Sequence, residues 1–289
     1  MATQKHASYK RKRRITNFFV YLILITISLV WLIPFVYLIL QSIANTSGGP
    51  SSTIIPESIT LNNFIALFID KRPAYNFGRW YINTLIISIA TALIQTIMVL
   101  MVSYVFSRLR FKFRKTYMKL ILILGMFPGF MSMIAIYQVL KMANLHTNIF
   151  TLILVYCASS AMNYYISKGF FDTIPYSLDE AAKIDGATQN KIFLKIILPL
   201  AKPIIVYALL VAFIAPWGDF MFASYLASGN SNMFNVAVGL KSFLSAEMIN
   251  TSFTRFCAGA VFTSIPIVIL FFLLQRFYVE GVTGGSVKG

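Results

Sequence analysis

FFVYLILITISLVWLIPFVYLILQSI, residues 18–43, carries no charged side chain. Apolar runs of this length match the roughly 20 helical residues that a bilayer core of about 30 Å requires, at about 1.5 Å of rise per residue. The basic stretch YKRKRR before it, residues 9–14, has the charge of a signal peptide's start. The apolar run is too long for one, however, and no small-residue cleavage site follows, so the sequence predicts an uncleaved anchor. Composition extends this reading to the whole chain. Apolar residues make up 58%, charged residues only 12%, and the mean hydropathy is +0.74, far from a soluble average of about a quarter charged. An all-helical integral membrane protein is expected.

Six spans are predicted: 18–43, 80–107, 117–140, 149–171, 203–226 and 253–277. The net charge of +16 could suggest nucleic acid, but the basic residues sit in loops that alternate with apolar runs, which is membrane topology. Nineteen of the 25 Lys and Arg fall on the side of the amino-terminal tail and six on the other, placing both termini in the cytoplasm. The expected organisation is a basic tail (1–17), one membrane domain (18–280) with a long inner loop at 172–202, and a glycine-rich tail (281–289). On the outer side a short amphipathic helix is expected at about 61–68, and Trp80 and Tyr81 open the second span as interfacial anchors. In the third span Gly125, Pro128 and Gly129 should bend or interrupt the helix, which either borders a translocation path or eases packing. Cys157 and Cys257 lie in apolar segments and read as packing residues, while His6 and His146 give a metal site or proton relay little material.

The inner loop is polar and ordered in pattern: DEAAKIDGATQNKIFLKIILPLAKPI, residues 179–204. Ser177 and Glu180 have the spacing of a capping box, so a helix should start here with Ser177 as its N-cap. Gly186 stands where a chain leaving that helix needs positive φ. Thr188 can cap a second helix with Ile192, Phe193, Ile196 and Ile197 on one face, Lys191 and Lys195 on the other, and Pro199 and Pro203 at its close. Two short helices joined at Gly186 suit either a protein-docking hairpin or an amphipathic element lying at the headgroups.

This stretch resembles the signature of permease subunits in binding-protein-dependent ABC importers: Glu180-Ala181-Ala182, three residues, Gly186, nine residues, then Ile196-Ile197-Leu198-Pro199. Asn83-Thr84, FSRLRFKFRK (106–115), FFDTIPYSLDEAAKIDGA (170–187), WGDFMFASYL (217–226) and the tail GVTGGSVKG are similar to the carbohydrate branch, specifically the shorter permease of maltose-type systems. The resemblance implies that Glu180, Ala181, Ala182, Asp185, Gly186, Ala187, Phe193, Leu198 and Pro199 form an ATPase-docking site. It also implies a second, non-identical permease, a cytoplasmic ATPase dimer and an external sugar-binding protein as partners. The tail from Gly281 either reaches the ATPase or is a disordered end.

No GxxxxGK[ST] loop occurs in the chain, so ATP and Mg are expected on the partner ATPase, and no cofactor is expected here. An ion-coupled carrier is the competing reading, but it would place ionisable residues inside the spans, which hold almost none. Asp219 reads as a solvated or helix-end carboxylate near the outer interface, and Lys168 as a snorkelling side chain. The nine acidic residues form no catalytic pair, which speaks against a membrane enzyme. For the substrate path, Tyr137, Gln138, Asn163 and Tyr164 are candidates, equally suited to hydrogen bonding between helices. By resemblance the expected cargo is maltose or maltodextrin, with raffinose-type or other oligosaccharides second.

Overall fold

The computed structural model describes residues 2–70, 72, 75–127, 129–145 and 148–284, with the side chains of 2–12, 130, 276 and 278–284 outside that description. His6 (side chain), Pro128, His146 and the last five residues therefore lie outside the described residues. The chain is helical: α1 (Ala2–Ser42), α2 (Asn62–Ile69), α3 (Phe77–Arg108), α4 (Arg114–Gly125), α5 (Gly129–Met142), α6 (Ile149–Ala158), α7 (Ala161–Thr173), α8 (Ser177–Ile184), α9 (Gln189–Leu200), α10 (Lys202–Gly218), α11 (Met221–Ala227), α12 (Val236–Ser242) and α13 (Ile249–Gly284). Among the described residues three helices, at Arg13–Ser42, Phe77–Arg108 and Ile249–Gln275, are long and apolar enough to cross a bilayer without a break.

The other expected spans are bent or divided. The third is split between α4 and α5 around the glycine-proline stretch, as its composition predicts. The fourth is not one helix. It bends by 44° between α6 and α7 at Ser159 and Ser160, where the Ser160 hydroxyl donates to the Cys157 carbonyl at 2.6 Å and competes with the helical ladder. The fifth stops at Gly218 rather than running to Leu226, which belongs to the separate α11. Asp219 ends it: its backbone is extended, and its Oδ1 accepts the Phe222 N–H at 3.0 Å, satisfying a first-turn donor of α11. Its Oδ2 accepts the Tyr156 hydroxyl at 2.6 Å, so the helix-end reading of Asp219 holds with a partner the sequence did not suggest. The final helix continues through Gly281 to Gly284.

α3 is the central element because one of its sides is small or polar. Thr84, Ser88, Thr91, Gln95, Thr96, Ser103 and Ser107 are all buried, letting α10 and α7 approach closely. Gln95 meets the bend of the fourth span, donating to the Tyr156 carbonyl at 2.9 Å and to the Ser160 hydroxyl at 2.7 Å, and so satisfies a carbonyl that the broken ladder releases. At the start of α3, Asn83 donates to the carbonyls of Asn232 and Phe234, and Thr84 accepts the Val236 N–H at 2.8 Å. Trp80, Phe77, Trp217 and Phe243 fill a core around them. Gly239 lies so close that a Cβ there would sit 2.0 Å from the Trp80 ring. Cys157 and Cys257 are free and buried, as packing residues should be. From residue 13 to residue 36 α1 is exposed, leaving its apolar surface for lipid or protein, while Gln41 and Ser42 at its end are buried.

Candidate functional site

The opposite end of α3 carries the polar hairpin. α8 begins one residue earlier than the capping box predicts: Tyr176 is the N-cap, in helical conformation, and no side chain caps the helix. The reason lies in the neighbours of Tyr176. Its hydroxyl donates to the Ser107 carbonyl at 2.7 Å and its ring lies 4.4 Å from the Arg108 guanidinium, so the turn is set before Ser177 is reached. Tyr176 accepts the N–H groups of Asp179 and Glu180 on its carbonyl.

The exit from α8 follows the expectation. Gly186 has φ +75°, its N–H bonds the Lys183 carbonyl and the Ala187 N–H bonds the Ala182 carbonyl, a Schellman pair that a left-handed residue makes possible. Thr188 then caps α9 by accepting the Lys191 N–H. α9 does not close at Pro199. Residues Phe193–Ile197 widen into a π-turn, with the Leu198 N–H bonding Phe193, and the helix runs on to Leu200 before an 82° bend at Ala201 into α10. Proline has no N–H and crowds the carbonyl four residues back, and the wider turn accommodates it without ending the helix.

The hairpin rests on a dry base. Ile192, Ile197 and Ala182 are buried with Leu100 and Tyr104 of α3 and Phe171 of α7, and Phe193, Ile196, Leu198 and Ala187 pack against them. The Tyr104 ring lies 4.6 Å from that of Phe193 and its hydroxyl donates to the Gln189 side chain at 2.9 Å. Beneath α8 an ion pair is enclosed: Arg108 and Asp179, with side chains 2% and 6% exposed, lie 3.6 Å apart. Arg108 also donates to the Ile174 carbonyl at 2.9 Å. Ser107 donates to Asp172, which pairs with Lys168, so the expected snorkelling lysine has an acidic partner.

Of the residues singled out from sequence, Glu180, Ala181, Asp185 and Gly186 are exposed on one knob, together with Ile184, which is 87% exposed. Ala182 is buried, Pro199 is exposed, and Phe193, Leu198 and Ala187 are half-buried in the base. The knob presents an apolar tip between carboxylates on a support of rings and an ion pair, a shape suited to docking into a complementary cleft. Asp179 and Arg108 were not legible as partners: the arginine belongs to a basic run and the aspartate to an acidic pair. The path candidates lie on two elements. Tyr137 and Gln138 are on α5, with the Tyr137 ring 4.7 Å from that of Tyr225. Asn163 and Tyr164 are on α7, where the Tyr164 carbonyl accepts the Ser103 hydroxyl.

Residues 100–283 match the family model described as "Binding-protein-dependent transport system inner membrane component". The maltodextrin transport system permease protein MalD of Streptococcus pneumoniae is 38% identical over 98% of this chain and 99% of that protein. The galactooligosaccharides transport system permease protein GanQ of Bacillus subtilis is 36% identical over 98% and 99%. Among solved structures, a bacterial ABC transporter involved in import of the acidic polysaccharide alginate superposes with a TM-score of 0.77 over 93% of this chain and 98% of that one, at 23% identity, a likeness of fold.

Proposed function

The chain belongs to the family of binding-protein-dependent transport system inner membrane components, and we propose that it is one of two non-identical permease subunits of an ATP-driven oligosaccharide importer. It is a multi-pass protein of the prokaryotic cell membrane. Both termini and the α8–α9 hairpin face the cytoplasm, the orientation favoured by the excess of Lys and Arg on that side. ATP and Mg are held, and ATP is hydrolysed, on a separate ATPase dimer. An external binding protein delivers sugar at the opposite face. Maltodextrin-type cargo is favoured because relatives matching nearly the whole chain carry that name, and galactooligosaccharide stands second for the same reason.

The observation that carries this reading is the hairpin: an exposed knob of Glu180, Ala181, Ile184 and Asp185 rooted in α3 and α7 by a buried apolar base and an ion pair. Closure of the ATPase dimer would displace the knob, and because the base does not yield, the inner ends of α3 and α7 would move with it. Packed interiors transmit such displacements because they are close-packed. The membrane helices would pass from inward-facing to outward-facing, and sugar would enter the path between this chain and its partner permease.

Reconstitution with the neighbouring permease, the ATPase and the binding protein tests this. Uptake of labelled maltodextrin should require the ATPase, and Ala181→Trp, which enlarges the exposed knob without disturbing the base, should abolish ATPase co-purification. Uptake that persists without the ATPase would refute the proposal.

A further inference from the structure

α4 and α7 run antiparallel and are pinched together at one end, where a Cβ on Gly125 would sit 3.2 Å from the Ala161 Cβ. Towards the hairpin a cavity of about 550 Å³ lies between them. Its walls are two helical faces, and four of its lining side chains are cationic: Arg114, Lys115 and Lys119 from α4 and Lys168 from α7. The cavity's one carboxylate, Asp172, is already engaged, accepting from Ser107 and pairing with Lys168. Arg114 gives one N–H to the Ser107 carbonyl at 3.2 Å and keeps its others. Lys115 and Lys119 have no acidic partner among the described residues. Four cations, one of them paired with that carboxylate, leave a cup of net positive charge that favours an anion.

The surroundings decide which kind of anion. From the basic cup towards the pinched end, α4 exposes Ile123, one turn beyond Lys119, and α7 exposes Met162 and Ile166. α4 buries no residue at all. A small soluble anion would use the cup and leave this apolar track in contact with whatever lies beside it. An amphiphile would use both. We propose that the cavity binds an anionic glycerophospholipid of the cytoplasmic leaflet, its phosphate held by Lys115, Lys119, Arg114 and Lys168 and its acyl chains laid along the exposed track of α4 and α7. Basic pockets between helices on the cytoplasmic side are suited to phosphate headgroups, and the leaflet assignment rests on the orientation proposed above. The site adjoins the hairpin base through Ser107 and Asp172, so its occupant braces the element on which the knob stands.

Gly169 supplies a test that leaves charge untouched, because a Cβ there meets nothing within 4 Å and a phenylalanine would extend into the cavity it lines. The chain, purified with its neighbouring permease in mixed micelles of phosphatidylglycerol or phosphatidylcholine, is analysed by native mass spectrometry, with thermal midpoints recorded for every variant. Phosphatidylglycerol should be retained in preference to phosphatidylcholine. Lys115→Gln with Lys119→Gln should weaken retention about thirtyfold, as expected for removing two cations near the surface, while Lys115→Arg with Lys119→Arg should preserve it. Gly169→Phe should reduce retention at an unchanged midpoint. Equal retention of the two lipids, retention unaffected by either Gly169→Phe or the glutamine pair, or displacement of the lipid by inorganic phosphate at equal concentration would overturn the proposal. None of these readouts involves the ATPase or sugar uptake, so failure here is distinct from failure of the importer reading.

Discussion

Removing Asp179 should loosen the hairpin far more than its position on a short helix suggests. At an effective dielectric constant of about 20, two unit charges 3.6 Å apart attract by about 4–5 kcal/mol. Enclosing both ions costs several kcal/mol each, so the intact pair contributes little net stability. The balance changes when one partner goes, because the other's desolvation cost is left without its offset. In Asp179→Leu the Arg108 guanidinium keeps the Ile174 carbonyl and the Tyr176 ring, which puts the loss near the low end of the range for broken buried pairs, about 3 kcal/mol. That corresponds to roughly a hundredfold larger population of the opened hairpin. Trypsin reads this directly, since Lys183 and Lys191 are exposed on α8 and α9 and cleavage in fast-reclosing segments follows the open population. Arg108→Leu should accelerate cleavage comparably. The double variant should recover at least about 2 kcal/mol of the summed loss, because no lone charge remains. If the two single effects add within about 0.5 kcal/mol, the ions do not support one another and the reasoning fails.

Gly186 is tested by pairing substitutions that differ in backbone tolerance, since a Cβ there meets nothing within 4 Å. Gly186→Asn should retain ATPase co-purification while Gly186→Val, whose side chain resists φ +75°, should lose about 1–2 kcal/mol of hairpin stability and lose co-purification; equal behaviour would remove the turn from the account. Gly239→Ala, forced against the Trp80 ring, should lower the thermal midpoint by the equivalent of about 3 kcal/mol, whereas Gly169→Ala, in open space, should leave it unchanged or raise it slightly. Asp70 is held down at about 2, chiefly by the Arg72 side chain hydrogen-bonded to it and further by the charge of Arg255. A carboxyl depressed in the folded state stabilises above its unfolded value of about 3.9 and loses that contribution as pH falls towards 2. The thermal-midpoint gap between the native chain and Asp70→Asn should therefore be full at pH 6 and shrink below pH 4.

What could be read from the sequence was what local chemistry alone determines. Gly186 is needed because only a residue without Cβ turns left cheaply, and Thr188 caps because its hydroxyl reaches the N–H three residues on; neither depends on anything distant. Ser177 failed as a cap because Tyr176 is tied to Ser107 and Arg108, across a sequence distance no motif encodes. The same limit hid the ion pair. Asp179 and Glu180 are neighbours of like charge, but about 100° of helical rotation turns one into the base and the other to the surface. Arg108 counted towards the expected membrane orientation along with Arg110 and Lys112, yet it alone of the three is enclosed against Asp179. The breaks at Ser159–Ser160 and Gly218–Asp219 carry weak local signals, and what makes them tolerable is supplied from elsewhere: Gln95 of α3 for the first, Tyr156 of α6 and Asn235 ahead of α12 for the second. A residue that satisfies a distant backbone group looks in sequence like any other polar residue in an apolar span. Polar residues buried along α3 are therefore the places where substitution by an apolar residue of equal size should disturb other helices more than α3 itself. Gln95→Met is the clearest case, since it would strand the Tyr156 carbonyl and leave the bend between α6 and α7 without its donor.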